Sequence, residues 1–454
     1  MGLNMLHKSP VDTAQTSFFD MFSQLDSNDP LLALANAIDW SELESTFADL
    51  YSDKGRGAKP IRLMCGLLIL KQLYNLSDES VVTQWKQNPY YQVFCGESSF
   101  QSRLPCHSTE LVKFRQRLGK GGIEKIFALS VALHGEAAEE KTVLVDTTVQ
   151  EKAITYPTDS KLAIKIINRL NKLAKEEGIQ QRRTFVKEVK TLRLVCRHFR
   201  HVKRRGKARK ALRRLRTIAG ALLRELRRKL PTDVLVRESE RFSLYERVLN
   251  QQPKDKGKIY SLHEPDVYCV GKGKDHKAYE YGRKASVVST LKSQVIVGVE
   301  SHDEHVHDSK TLKSALAVAN SHRNTDIELA VVDRGYRGAK KYVDIDVLLP
   351  GKALKRDTDY QRQKKRSLCR KRAAIEPIIG HLKQDFRLQR NWLKGSEGDA
   401  INLLMAACAW NLRKWMIAFF LSDKNGDIWV FCLSFDPENG LQVAYIKLSI
   451  RPAG

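Results

Sequence analysis

Three carboxylates of this chain have surroundings suited to metal chemistry. In Glu328–Gly338, ELAVVDRGYRG, the apolar run Leu329-Ala330-Val331-Val332 reads as a buried strand that delivers Asp333 to its C-terminal end. Arg334-Gly335-Tyr336-Arg337-Gly338 then turns the chain away. The stretch Thr142-Val143-Leu144-Val145-Asp146-Thr147-Thr148 repeats the layout. A carboxylate at the tip of a buried strand is rigid, as a metal ligand must be. One such Asp is more often a turn or helix cap. Two of them, with an acidic residue from a later helix, could hold two divalent ions for phosphodiester chemistry.

That later residue is Glu376, in RAAIEPIIGHLKQDFRLQRNWLKG. Cys369, Arg372, Glu376 and Lys383 are spaced three, four and seven residues apart. On a continuous helix they fall within an arc of about 60°. One face would then carry a metal-binding carboxylate flanked by phosphate clamps, Arg372 and Lys383. Pro377 opposes this, because proline disrupts mid-helix geometry and disfavours helical Glu376; the helix either kinks there or starts at Pro377.

Two other clusters hold ligand-type side chains. His302-Asp303-Glu304-His305-Val306-His307-Asp308 follows no zinc spacing and reads as a polar loop in which Asp308 or Ser309 caps a helix over Lys310–Ala319. Cys196, His198 and His201 lack a fourth ligand and stand in dense positive charge, which opposes a metal.

The elements that must position these residues follow from periodicity and punctuation. Helical patterns occupy Ser17–Leu25 and Asp29–Tyr51, and a loop follows at Gly55-Arg56-Gly57. Pro60 opens a helix over Ile61–Tyr74, apolar nearly all round and hence a core helix. Asp78–Gln87 continues as another, and Ser108 or Thr109 caps Glu110–Leu118. Arg115 and Arg117 on that helix could touch DNA phosphates or simply be solvated.

Residues 161–230 hold 25 Lys and Arg against four Glu. Leu192, Val195, Phe199, Leu212, Leu215, Ile218, Leu222 and Leu226 recur there at roughly helical spacing, which favours two or three amphipathic helices over a disordered tail. Their basic face, with Arg204 and Arg205, suits a phosphate backbone. Pro231 ends these helices, and a polar linker runs to about Gly257. Ala278–Val299 reads as a hairpin turning at Lys292-Ser293, Val347–Leu349 as a short strand, and Glu397–Phe420 as a buried helix. Residues 422–454 are strand-like and carry no assigned function, as a small hairpin or a disordered tail.

Composition narrows the partners. The 454 residues carry a formal net charge of +26, which favours a polyanion, most commonly nucleic acid. Eight Cys without a CxxC pair point to free thiols in a reducing compartment, without disulfides or zinc. Neither a signal peptide nor a run long enough to span a membrane is evident, so a soluble, cytoplasmic, nucleoid-associated bacterial protein is expected, with no membrane partner.

With these motifs together, the chain resembles the DDE transposases of bacterial insertion sequences, particularly the insertion-sequence-five family, over roughly residues 55–420. RLMCGLLILKQLYNLSDESVVTQWKQNPYYQVFCGE and FRQRLG resemble that family's N-terminal domain; VLVDTTVQ, TYPTDSKL, YEYGRKAS, HVHDSKTL and VVDRGYRG resemble its catalytic core. The family's Tyr-Arg-Glu-Lys signature, with two, three and six intervening residues, is matched by Arg372, Glu376 and Lys383, with Cys369 where Tyr is usual.

The resemblance implies an α/β fold: a ribonuclease H-like catalytic core, a mixed sheet flanked by helices, with an all-helical N-terminal domain and a basic helical insertion. The expected division is 1–140 for the DNA-end-binding helices, 141–159 and 262–421 for the catalytic domain, 160–261 for the insertion and 422–454 for the tail. It also implies Asp146, Asp333 and Glu376 as a catalytic, metal-binding triad for Mg²⁺, with Mn²⁺ as a substitute, and terminal inverted repeats and target DNA as double-stranded partners. Cleavage and strand transfer by phosphodiester hydrolysis and transesterification are the expected reactions, in a homodimer or larger synaptic complex. A non-catalytic basic DNA-binding protein and an inactive transposase copy are the alternatives.

Overall fold

The computed structural model describes residues 21–51, 57–274, 277–341, 343–351 and 356–420, and the backbone of 427–436 and 440–449. Six helices come first: α1 (Pro30–Ala37), α2 (Trp40–Ala48), α3 (Ile61–Leu73), α4 (Asp78–Gln87), α5 (Pro89–Phe94) and α6 (Ser108–Ala132). Strand β1 (Thr142–Glu151) is followed by α7 (Asp159–Glu176), α8 (Val186–Cys196), α9 (Arg205–Lys229), α10 (Thr232–Arg237) and α11 (Ser239–Asn250). Next come β2 (Tyr268–Lys274), β3 (Lys277–Thr290), β4 (Ile296–His302), α12 (Asp308–Ser321), β5 (Leu329–Val331) and β6 (Asp346–Leu348). The chain closes with α13 (Asp359–Lys371), α14 (Ile375–Gln384), α15 (Gly395–Phe420) and the hairpin of β7 (Asp427–Asp436) and β8 (Gly440–Ser449). No helix among the described residues is long and apolar enough to cross a membrane.

The contacts divide the chain into two units, residues 1–151 with 283–454, and residues 152–282. In the first unit β1, β5 and β6 are parallel neighbours, β3 lies on the other side of β1, and β4 pairs antiparallel with β3. The sheet is therefore mixed and the unit α/β. Strand side chains alternate between faces. Val143, Val145, Ala330 and Val332 enter a large cluster that also holds Leu34 of α1, Leu67 of α3, Phe127 of α6 and Leu412 of α15. Leu144 and Val331 enter a smaller cluster on the opposite face with Ile375 of α14. Both faces of the central strands are thus covered, which accounts for their uninterrupted apolar runs.

The second unit has its own core. Leu162, Ile166, Ile167 and Leu170 of α7 meet Leu215, Ile218, Leu222 and Leu226 of α9, while the arginines of α9 lie on its outer side. Each such fully buried aliphatic side chain contributes about 1.5–3 kcal/mol, so the apolar stripe folds this segment despite its charge. Strand β2 pairs antiparallel with residues 279–282 of β3.

Several expectations are corrected. Strand β1 runs past Asp146 to Glu151, because Thr147, Thr148 and Val149 are β-branched and Val149 is buried; Asp146 lies within the strand, not at its tip. The linker expected after Pro231 holds α10 and α11, whose Val234, Phe242, Tyr245 and Val248 are buried at helical intervals. Histidines cap two helices in place of the expected residues: the side chain of His107 accepts from Thr109 N–H, and that of His307 from Ser309 N–H. Helix α6 continues to Ala132 across a break at Gly119, where φ is +60°. Of the Ser17–Leu25 pattern, residues 17–20 lie outside the described residues, and Met21–Gln24 form a 3-10 turn.

Candidate active site

The sheet puts two carboxylates side by side. The last paired positions of the parallel strands β1 and β5 are Leu144 and Val331. Asp146 and Asp333 each lie two residues further on, hence on the same face as that pair, on strands spaced about 4.8 Å apart. Asp333 is extended, with φ −83° and ψ −178°, and its Oδ1 accepts from Gly335 N–H at 2.8 Å, which caps the 3-10 turn Arg334–Tyr336. Asp146 Oδ1 accepts from the N–H of Thr147 at 2.7 Å.

That face is the one α14 covers. Ile375 packs on Leu144 and Val331, so Glu376, the next residue, is carried to the edge of the carboxylate pair. Residues Arg372–Ala374 form a 3-10 turn between α13 and α14, all with helical dihedrals at the junctions. Pro377 is then the third residue of α14, where a missing N–H leaves no intrahelical bond unmade. The Arg372 guanidinium bridges the site, 3.7 Å from Asp146 Oδ2 and 3.1 Å from Glu376 Oε1. Burial pushes the Asp146 carboxyl up to about 6, and the charges of Asp333 and Glu376 act in the same direction, against the Thr147 N–H and Arg372.

Mutual repulsion among oxygen donors is relieved by a hard divalent cation, so Asp146, Asp333 and Glu376 fit one in kind. Among the described residues, no three His, Cys, Asp or Glu side chains converge closely enough to form a finished metal site, and Glu376 is turned outward, with its side chain 64% exposed. Lys383 is half-buried, seven residues beyond Glu376 and so on its face of α14.

Sequence reasoning did not place Asp308, Lys284, Gly335 or Tyr336 in this neighbourhood. Asp308, read as a helix cap, accepts from Thr147 Oγ1 and from Lys284 Nζ, each at 2.9 Å. Tyr336 is 1% exposed, and burial with the charges of Asp146, Asp308 and Asp333 raises its hydroxyl well above the usual tyrosine range. Gly335 lies against Asp333 and Asp308. The signal available was proximity to the motifs HVHDSKTL, YEYGRKAS and VVDRGYRG, which says nothing of direction.

The other expected contacts divide. Arg115 is 6% exposed and holds Asp78 through both terminal nitrogens, at 3.2 and 2.9 Å, so its guanidinium is already engaged by a carboxylate. Arg117 is exposed, its guanidinium 4.7 Å above the Tyr51 ring. In the second unit Arg204 and Arg205 are exposed where α9 begins. His302 is buried against Ser286, with 2.8 Å between Nε2 and Oγ, and Asp303 pairs with Arg283.

Comparison with known proteins identifies the family. A family described as "Transposase domain (DUF772)" matches residues 19–117, and one described as "Transposase DDE domain" matches residues 249–412. The second stretch contains Lys284, Asp308, Asp333, Arg372, Glu376 and Lys383, whereas Asp146 precedes it. An uncharacterised protein of Rhizobium meliloti, ORF8 in the nfe locus, is 39% identical over 178 residues, which cover 38% of this chain and 86% of that protein. No solved structure matches. With two transposase domains in its sequence, the chain belongs to the DDE-type transposases of insertion sequences.

Proposed function

We propose that this transposase binds the terminal inverted repeats of its own element and catalyses metal-dependent cleavage and strand transfer from a ribonuclease H-like core. The observation that carries the reading is the equivalent placement of Asp146 and Asp333 beyond the Leu144–Val331 pair, with Glu376 delivered to the same face by α14. These three carboxylates would hold Mg²⁺, or Mn²⁺ in its place, which supplies Lewis-acid activation of the attacking hydroxyl and stabilises the leaving oxygen. Arg372 and Lys383 neutralise phosphate charge beside the scissile bond as charge-assisted donors. Water attacks phosphorus in the cleavage step and the freed DNA 3′-hydroxyl attacks in the joining step; each exchange breaks one P–O bond and forms another, so no nucleotide triphosphate is consumed.

The domain roles follow the same reading. Residues 1–140 engage the element's ends, residues 141–159 with 262–421 perform the chemistry, and the basic helices of 160–261 lie along the DNA backbone, as their exposed Arg204 and Arg205 support. Two ends must be cut together, so a homodimer or larger assembly is the working form. The insertion-sequence-five assignment rests on the spacing of Arg372, Glu376 and Lys383.

The deciding experiment measures cleavage and strand transfer on the element's end DNA for the wild type and Asp333→Asn, which keeps shape and removes charge. The expected result is wild-type cutting and joining, with a variant that binds the ends and cuts at least ~100-fold more slowly, the scale of a lost electrostatic contact in a transition state. Equal binding with cutting by neither protein identifies a DNA-binding protein or an inactive copy. Cutting without joining identifies a nuclease.

A further inference from the structure

Asp308 is the first residue of α12, yet its side chain does not serve that helix. The capping acceptor is His307, whose Nδ1 takes the N–H of Ser309 at 3.2 Å. A carboxylate in a first turn gains only about 0.3–1 kcal/mol from the helix dipole, and an exposed one would gain it equally. Asp308 is instead drawn inward, its side chain 27% exposed. Its Oδ1 accepts from Thr147 Oγ1 and Lys284 Nζ, each at 2.9 Å, and Lys284 Nζ also donates to the carbonyl of Val306 at 2.8 Å.

The two oxygens of Asp308 reach toward the two strand carboxylates by different routes. Through Oδ1 it fixes the Thr147 side chain, and the N–H of that residue holds Asp146 Oδ1 at 2.7 Å. Its Oδ2 lies beside Gly335, next to Asp333: a Cβ at Gly335 would stand 3.1 Å from Asp308 Oδ2 and 2.9 Å from Asp333 Oδ1. Asp308 and Asp333 thus both border the space that a side chain at Gly335 would fill. We propose that Asp308 is a positioning residue that sets the separation of Asp146 and Asp333, through Thr147 towards Asp146 and beside Gly335 towards Asp333, so that the pair meets a divalent cation already spaced for it. Lys284 balances the charge of Asp308 and keeps it from competing for the same cation. Burial works to raise the Asp308 carboxyl, but Lys284 and Thr147 outweigh it and leave it low, hence ionised.

The inference rests on the metal-dependent transposase reading, and its test separates the two. Mn²⁺ binding to the full chain without DNA is measured by calorimetry, and single-turnover cleavage of end DNA is measured across Mg²⁺ concentrations. Asp308→Asn and Thr147→Val should each weaken Mn²⁺ binding about 10–100-fold, the effect of losing a group that orients a ligand. The Mg²⁺ concentration for half-maximal cleavage should rise by a similar factor, with end-DNA affinity unchanged. Thr147→Ser should restore wild-type values, and the double variant should be no worse than the more impaired single one. Wild-type Mn²⁺ affinity in Asp308→Asn and Thr147→Val, a fall in cleavage with no change in metal dependence, or no Mn²⁺ binding by the wild type would each overturn it. Should Asp308→Asn fail to fold, Thr147→Val and Thr147→Ser decide alone. A wild type that binds Mn²⁺ without cutting DNA sinks the transposase chemistry and leaves the calorimetric comparison to judge Asp308.

Discussion

At Gly335 one methyl group decides whether two carboxylates keep their places. A Cβ there would come within 2.9 Å of Asp333 Oδ1, closer than carbon and oxygen tolerate, and 3.1 Å of Asp308 Oδ2, tight enough that this carboxylate must yield slightly. Gly335→Ala should therefore push the carboxylates apart, lowering cleavage at least tenfold at a stability loss of ~1–3 kcal/mol, the usual range for overpacking. Kinetics alongside thermal unfolding check this; wild-type cleavage in the variant would show that the carboxylates have slack. Asp333 was legible in the sequence because everything that shapes it, an apolar strand before and a glycine-bearing turn after, lies within a few residues. Asp308 was not, because its partner Thr147 is 161 positions away and Lys284 is 24 away, so its own neighbourhood looked like an ordinary helix start.

Among the elements, α3, α4 and α6 are locked by a buried ionic triad rather than by apolar contact alone. Lys71 Nζ and Arg115 meet the Asp78 carboxylate at 2.8 and 2.9 Å, with side-chain exposures of 11%, 8% and 16% for Lys71, Arg115 and Asp78. Burial works to raise the Asp78 carboxyl, but Arg115 and Lys71 outweigh it and bring it to about 2. A carboxyl depressed in the fold stabilises above its unfolded value, and that stability is lost as pH falls from near 4 toward 2. Asp78→Asn leaves two buried cations short of a counter-charge and should destabilise the protein by ~3–5 kcal/mol at neutral pH. Urea unfolding of both proteins at pH 7 and pH 2.5 measures this, and the gap should shrink at the lower pH. The helices themselves were readable from capping and apolar spacing, whereas Arg115 resembled a DNA contact because its partner lies 37 residues upstream. The extension of β1 beyond Asp146 escaped for a related reason: Thr147 and Thr148 suit a strand or a turn, and only burial of Val149 decides.

Over the whole molecule, charge is concentrated in one folded unit. Residues 161–230 carry 25 Lys and Arg against four Glu, while Arg214, Arg216, Arg227 and Arg237 engage Glu188, Asp159, Glu246 and Glu177. Arg204 and Arg205 make no such pair among the described residues and are exposed. DNA affinity should therefore drop steeply with salt, by about 10³–10⁵ between 50 and 200 mM if six to ten phosphates are met. Replacing Arg204 and Arg205 together by Ala should flatten the logarithmic slope by roughly two units, one per lost phosphate contact. Filter binding over a salt series gives the slope directly, and an unchanged slope would move the contact elsewhere on the unit.

Helix α15 packs against α1, α3, α6 and β4, and its Leu412 shares a core with Leu34 of α1. Helices α1, α3 and α6 therefore wait for α15, made long after them, before their apolar faces are covered. Glu376 and Arg372 are also late to be made. A nascent chain still attached to its message holds Asp146 on a strand whose neighbours have not been synthesised, so on the proposed reading it has no assembled centre with which to cut DNA. Premature stop codons anywhere before α15 should yield chaperone clients and proteolytic substrates in place of partial enzymes.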